Sequence, residues 1–314
     1  MRQYIVRRLL FLVPVVVAVS VAVFWALRIM PGDVAELMLG QTATAESLRE
    51  VREDLSLDKP VVRQYLDWLR QVATGDLGES IHMGTSIGGE IMSRLPITLE
   101  LLILTLLFTT VLGVTFGVLS AVLQDSPVDY LVRTVSILGL SIPSWWFGIM
   151  VLLIPSVLWA YSPPLGHVLP QENLWDNLRQ FVPPAFIMGA ASSAGVMRLT
   201  RSALLEVLRQ DYIRTARSKG LLERRVIGRH ALKNAMIPVI TVLGMQLAGL
   251  LGGAVIIEQV FGLEGLGRYL FQAVLQRDYP VVQALTLYIA VIVVVVQLAV
   301  DVSYAWFDPR IRYA

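Results

Sequence analysis

Five stretches of this 314-residue chain carry no Asp, Glu, Lys or Arg over a length that can cross a bilayer. They are Leu9–Leu27, Leu101–Leu123, Thr134–Tyr161, Ala235–Ile257 and Tyr279–Val300. A hydrocarbon core of about 30 Å takes roughly 20 apolar residues as a helix. In lipid the backbone N–H and C=O groups must pair within the segment, so each run predicts a spanning helix. The third run stays uncharged to Gln171, but Pro163-Pro164-Leu165-Gly166 predicts that its helix ends near Tyr161. A sixth segment, Phe181–Met197, has 17 residues and contains Pro183, Pro184, Gly189, Gly195, Ser192 and Ser193. Small and hydroxylated residues suit a helix packed inside a bundle. A re-entrant or surface segment is the alternative. Only 16% of residues are charged, too few to coat a soluble protein, so a purely soluble enzyme is excluded. There is no Cys, which excludes disulfides, thiolate metal sites and Cys nucleophiles.

Charge sets the orientation. Residues 198–234 carry ten Lys/Arg and three acids, a balance of +7, and Arg2, Arg7 and Arg8 open the chain. Residues 31–96 carry eleven acids and six bases, a balance of −5. Basic segments stay cytoplasmic. With six spans the N-terminus and the 198–234 loop share that side and 31–96 lies opposite; with five spans this agreement fails. The basic start resembles a signal peptide, but its apolar core is longer than usual and no small-residue cleavage site follows, so an uncleaved first span is expected.

The segment 31–96 is too long for a connection and reads as short helices. Thr44 is placed to cap one helix and Asp58 to cap another entered through Pro60. Val62, Tyr65, Leu66, Leu69 and Val72 recur at helical spacing, and Gly75 stops the run. This is either a cap on the membrane domain or a docking surface for a soluble partner, and the two are compatible. In 198–234, Leu204, Leu205, Leu208, Tyr212 and Ala216 recur at helical spacing among basic residues. Gly220 interrupts, and a second helical run, Leu221–Met236, is expected to end near Pro238. Such a basic amphipathic loop either lies on anionic headgroups or fills a partner's groove.

The run Asp211-Tyr212-Ile213-Arg214-Thr215-Ala216-Arg217-Ser218-Lys219-Gly220-Leu221, followed by Arg229-His230-Ala231-Leu232-Lys233-Asn234-Ala235, resembles the cytoplasmic loop of ABC-importer permeases. The general pattern is Glu-Ala-Ala, three residues, Gly, nine residues, then Ile-x-Leu-Pro. Ala216, Gly220 and Leu232 keep it, whereas Arg214, Thr215, His230 and Lys233 depart from it. The departures are similar to the variant of the dipeptide/oligopeptide branch, B-type subunit. Met30-Pro31-Gly32-Asp33, Gly75-Asp76-Leu77-Gly78, Glu258-Gln259-Val260-Phe261 and Arg277-Asp278-Tyr279-Pro280 resemble that branch too.

The resemblance implies an all-α, polytopic type I importer permease with six transmembrane helices and an outer helical cap. It implies four parts: residues 1–30, the N-terminus and first span; 31–96, the extracytoplasmic cap; 97–305, a five-helix core containing the coupling loop 198–236; and 306–314, a cytoplasmic tail. The implied partners are a second permease chain, forming a heterodimer, two cytoplasmic ATPases that bind ATP and Mg, and an extracytoplasmic substrate-binding protein. In this family the short helix before the Gly couples the permease to the ATPase, a role carried here to Tyr212–Leu221, with Asp211 opening it. Arg214, Arg217 and Lys219 are then placed to pair with acidic groups on the ATPase. The branch handles peptides, glutathione and nickel chelates.

No cofactor is expected in the chain itself. Its only lysines, Lys59, Lys219 and Lys233, follow no Gly, so it holds no phosphate-binding loop and the energy source is another chain. An ion-coupled secondary transporter needs ionisable groups inside its spans, and the middles of these six hold none. His82, His167 and His230 fall in three separate loops, and no hydrolase motif occurs, so an intramembrane enzyme is disfavoured. Ser141, Ser144, Ser192, Ser193 and Gln246 are candidates to line a pathway, because a polar group facing lipid is costly. Ordinary interhelical hydrogen bonding is the alternative for each. Gly113 and Gly117 form a small-xxx-small pair, and Gly244, Ala248 and Gly252 repeat the spacing.

Overall fold

The computed structural model describes residues 2–29, 34–39, 44–54, 57–160 and 167–307. Among these, regular structure is helical apart from one isolated bridge between Glu79 and Ser86. The Met30–Asp33 motif, the Pro163–Gly166 stop and tail residues 308–314 lie outside the described residues. The chain forms two compact units, Met1–Pro96 with Glu264–Val295, and Ile97–Leu263 with Val296–Ala314.

The first unit holds α1 (Arg2–Ile29), α2 (Val34–Leu39), α3 (Ala45–Asp54) and α4 (Val61–Ala73). It also holds the first turns of α5 (Ile87–Val122), α12 (Leu266–Gln276) and most of α13 (Tyr279–Phe307). Thr44 caps α3 as expected, its Oγ1 accepting the Ser47 N–H at 3.1 Å. Asp58 does not cap α4: the N-cap is Pro60, which offers no side-chain acceptor. Gln64 organises that entry instead, donating to the carbonyls of Leu57 and Lys59 at 3.1 and 2.8 Å. The buried face of α4 also differs from the apolar spacing. Val62 and Leu66 are exposed, while Gln64 is buried and Tyr65 and Trp68 pack on Phe24 of α1. A core of Ile87, Ile91, Leu266, Tyr269, Ala273, Val281, Ala284 and Leu285 joins α5, α12 and α13. Burial pushes the Tyr269 phenol up to about 12.

The second unit is built around α8 (Leu174–Leu208), a continuous helix of 35 residues that packs on α6 (Pro127–Ser141), α7 (Ser144–Trp159) and α11 (Leu232–Phe261). The segment Phe181–Met197 lies within α8 and buries Phe181, Ala185, Ile187, Ala194 and Val196, so it is no surface stretch. Close approach of α5 to α8 depends on glycine. A Cβ on Gly189 would sit 2.5 Å from Phe108 Cβ, and one on Gly117 would sit 2.7 Å from the Met197 carbonyl. Gly113 and Gly117 therefore pack within this chain, while Gly252 has open space.

Two of the expected helices differ. The run 134–161 is not one helix. It breaks between α6 and α7, which turn by 95°, with Ile142 extended at φ −91°, ψ 121°. Pro143 explains this, since its ring excludes the residue before it from the helical region. The second difference is at Pro238, where the helix does not stop. After α9 (Asp211–Ser218) and α10 (Glu223–Arg225), a π-helical turn Val226–Ala231 leads into α11, which runs through Pro238 to Phe261. Apolar helices tolerate an internal proline when neighbours re-satisfy the freed carbonyl. Ile87–Val122, Glu223–Phe261 and Tyr279–Val300 are each long and apolar enough to cross a membrane, and α6 with α7 qualify together.

Candidate functional site

The loop between α8 and α11 folds as a short helix held by two side chains. In α9, Ile213 and Ala216 lie three residues apart on one face and are buried. They join Ala121, Ala203, Leu204, Val226, Ala231 and Ala235 in one apolar cluster. The opposite face, Asp211, Arg214, Thr215, Arg217 and Ser218, is exposed, as is Lys219. The helix thus uses about a quarter of its residues to stay attached and presents the rest.

Its C-terminus closes in a Schellman motif. Gly220 adopts φ +75°, its N–H bonds the Arg217 carbonyl at 2.9 Å, and the Leu221 N–H reaches the Ala216 carbonyl at 3.4 Å. Leu221 then packs against the cluster. Gly220 is therefore a cap, not merely an interruption. Tyr212 ties α9 to the following helix: its hydroxyl accepts from Asn234 Nδ2 at 2.8 Å and donates to the His230 carbonyl at 3.4 Å.

The basic residues are partly engaged within the chain. Arg217 makes a two-pronged pair with Glu223, Nε to Oε2 at 3.2 Å and Nη2 to Oε1 at 2.7 Å. This guanidinium holds the Glu223 carboxyl below its usual range, and the carboxylate raises Arg217 in turn. Arg214 reaches Asp211 at 3.3 Å. Lys219 has no partner among the described residues. The outward surface is a charged helix face that carries Arg214, Arg217 and Lys219.

Beneath it lies a network that the span-based reading overlooks. Asp129 is fully buried and takes Arg201 Nε at 3.0 Å and Nη2 at 2.8 Å, linking α6 to α8. Ser120 Oγ and the Asp125 N–H complete its shell. A local signal exists: Ser126-Pro127-Val128-Asp129 is a helix start, with Ser126 capping the Asp129 N–H.

The pathway candidates are distributed unevenly. Ser144 and Ser193 line one cavity of about 500 Å³, with Ser136 and mostly apolar neighbours, Leu112, Phe116 and Phe186 among them. Ser193 Oγ donates to Ala190 O at 2.7 Å within its own helix. Gln246 Nε2 meets the Ser192 carbonyl at 3.5 Å, joining α11 to α8, and its buried Oε1 has no partner. Ser141 stays exposed and bonds back to Ile137 O.

The all-helical regular structure and the long apolar helices together describe an integral membrane component. Residues 113–313 match the family of binding-protein-dependent transport system inner membrane components, and residues 1–102 match the N-terminal region model of such components. The chain belongs to this family. It is 40% identical over 316 residues to the oligopeptide transport system permease protein AppB of Bacillus subtilis, covering all of both chains. It is 39% identical over 334 residues to the di/tripeptide transport system permease protein DppB of Pseudomonas aeruginosa, covering all of this chain and 99% of that one. It is 38% identical over 337 residues to the dipeptide transport system permease protein DppB of Escherichia coli, with the same coverage. The fold is shared with the inward-facing MetNI methionine ABC transporter: TM-score 0.56, 20% identity, 69% of this chain and 96% of that one. A second form gives 0.57 at 17% identity, over 70% and 96%.

Proposed function

We propose that this chain is the permease subunit of an ATP-driven, binding-protein-dependent importer of di- and oligopeptides. The observation that carries this is the identity of 38–40%, end to end, with permeases named for oligopeptide, di/tripeptide and dipeptide transport. The chain forms half of the translocation pathway and pairs with a second, different permease. ATP and Mg are bound and used by two ATPase partners, and an extracytoplasmic binding protein delivers the substrate.

Coupling runs through Asp211–Leu221. Support comes from its build: a helix anchored by Ile213 and Ala216, capped by Gly220, with its cationic face left open. Closure of the ATPases moves α9, and the pull reaches α8 and α11 through the shared apolar cluster. The four-part division into 1–30, 31–96, 97–305 and 306–314 is kept, with both termini and the 198–236 loop in the cytoplasm. Gln246, Ser192, Ser193, Ser144 and Ser141 remain the candidates for the pathway wall, Ser144 and Ser193 being the two that line a cavity.

The test is purification of the tagged chain from its native membrane in mild detergent, with every co-purifying protein identified. A second six-span permease and ATPases with phosphate-binding loops are expected. The chain arriving alone would overturn the importer assembly.

A further inference from the structure

The first unit encloses a cavity of about 580 Å³ that no part of the importer scheme uses. Arg28, Gln64, Trp68, Asp76, Glu79 and Gln283 are among its walls. Small-solute sites run from about 300 to 1,000 Å³. Two features set it apart from a water-filled crevice. Arg28 is half-buried and makes no ion pair among the described residues. Its Nε and Nη2 both donate to Gln64 Oε1, at 3.1 and 2.9 Å, and Nη1 to the Phe24 carbonyl at 3.4 Å. Three of its five N–H groups are thereby used and two are left. Gln283, from the start of α13, is 8% exposed, and its Nε2 has no hydrogen-bond partner. A buried amide left unpaired is costly, and a ligand oxygen would remove that cost.

The same walls carry acids. Asp67 is held by Lys59 at 3.0 Å, and Asp76 accepts the Gly78 N–H at 2.9 Å. The Glu79 carboxylate has no partner among the described residues. Free donors and a free acid therefore face one space.

We propose that this cavity binds a small zwitterion, its carboxylate on Arg28 and Gln283 and its ammonium toward Glu79. α-Amino acids and short peptides share that chemistry. The site stands on its own groups, and its test reads out whether or not the chain carries peptides.

The probes are photo-leucine and Ala–photo-leucine, applied to the full chain with its co-purified partners in lipid nanodiscs. Photolysis is followed by mass-spectrometric mapping. Label is expected on residues 24–28, 64–84 or 279–283. Excess Ala-Ala should protect, and Ala-Ala amide should protect about tenfold less, the loss expected for one charge-assisted hydrogen bond. Gln283→Leu should cut labelling about tenfold without lowering thermal stability, since it removes an unpaired polar group. Labelling by both probes assigns the site to amino acids and peptides alike, and labelling by the dipeptide alone assigns it to peptides. Either supports a zwitterion site. No label on these segments, equal protection by the amide, or undiminished labelling of Gln283→Leu would overturn it.

Discussion

Gly220 has no atom within 4 Å of the place a Cβ would occupy, so it supplies backbone conformation rather than room. At φ +75° a side chain costs about 1–2 kcal/mol, and a β-branched one more. Gly220→Val should fray the cap of α9 and abolish uptake of the peptides proposed above while the chain still inserts; Gly220→Asn, which tolerates this region, should keep most uptake. Radiolabelled uptake against chain abundance by immunoblot checks both. Charge reversal at the same helix separates an internal from an external role. Arg214→Glu with Arg217→Glu should abolish uptake. Adding Glu223→Arg to Arg217→Glu restores the internal pair. Uptake that returns assigns Arg217 to the cap, and uptake that stays lost assigns it to a partner surface. Ala216 and Gly220 are legible in the sequence because helical spacing and a glycine stop are local signals. Ile213 is not, since the spacing that runs on from Leu204 selects Tyr212, which is exposed, and the break of α8 at Arg209 resets the register so that Ile213 is buried instead. The Arg217–Glu223 pair is not legible either, because it spans six residues across a turn, outside the three- and four-residue register of a helix.

At the scale of elements, α5, α6 and α8 are held by contact too tight for a methyl group and by one buried ion pair. Gly189→Ala should cost about 1–3 kcal/mol, since its Cβ meets Phe108 Cβ and the Thr105 carbonyl. Gly252→Ala, with nothing nearby, should cost little and serves as the control. Thermal aggregation in detergent ranks them. Asp129→Asn leaves the Arg201 guanidinium without its carboxylate and should cost about 3 kcal/mol, the lower end for broken buried pairs because Arg201 is partly exposed. Asp129→Leu with Arg201→Met should recover much of that loss, as apolar replacement of a buried pair often does. The same elements show what apolar runs reveal. They mark where α5, α11 and α13 cross, because bilayer length imposes a composition on each. They are silent on bends, so the break at Ile142 and the passage through Pro238 follow from single prolines and their neighbours. They also overlook Asp129, which sits just outside an uncharged run yet is fully buried. In α4 the packing of Tyr65 and Trp68 on Phe24 outweighs the exposed Val62 and Leu66, a tertiary preference that spacing alone does not carry.

For the whole molecule the governing quantity is the charge contrast between segments, −5 over 31–96 and +7 over 198–234. Only an even number of crossings before 198 leaves the N-terminus on the side of that second segment. A basic segment resists translocation, whereas acidic residues contribute little, so the +7 segment carries the argument. The absence of cysteine makes the topology directly measurable, since any introduced thiol is the only one. Glu53, exposed on α3, and Ser218, exposed on α9, are suitable positions, and neither is buried in the structure. In intact cells Glu53→Cys should react with a membrane-impermeant maleimide, and Ser218→Cys should react only after permeabilisation. Both thiols reacting in intact cells would remove one crossing from the 97–197 stretch. That outcome would leave α6 and α7, joined by their turn at Ile142, as a re-entrant pair rather than a span. It would also carry α9 away from the ATP-containing side, where no nucleotide-driven partner could reach its cationic face.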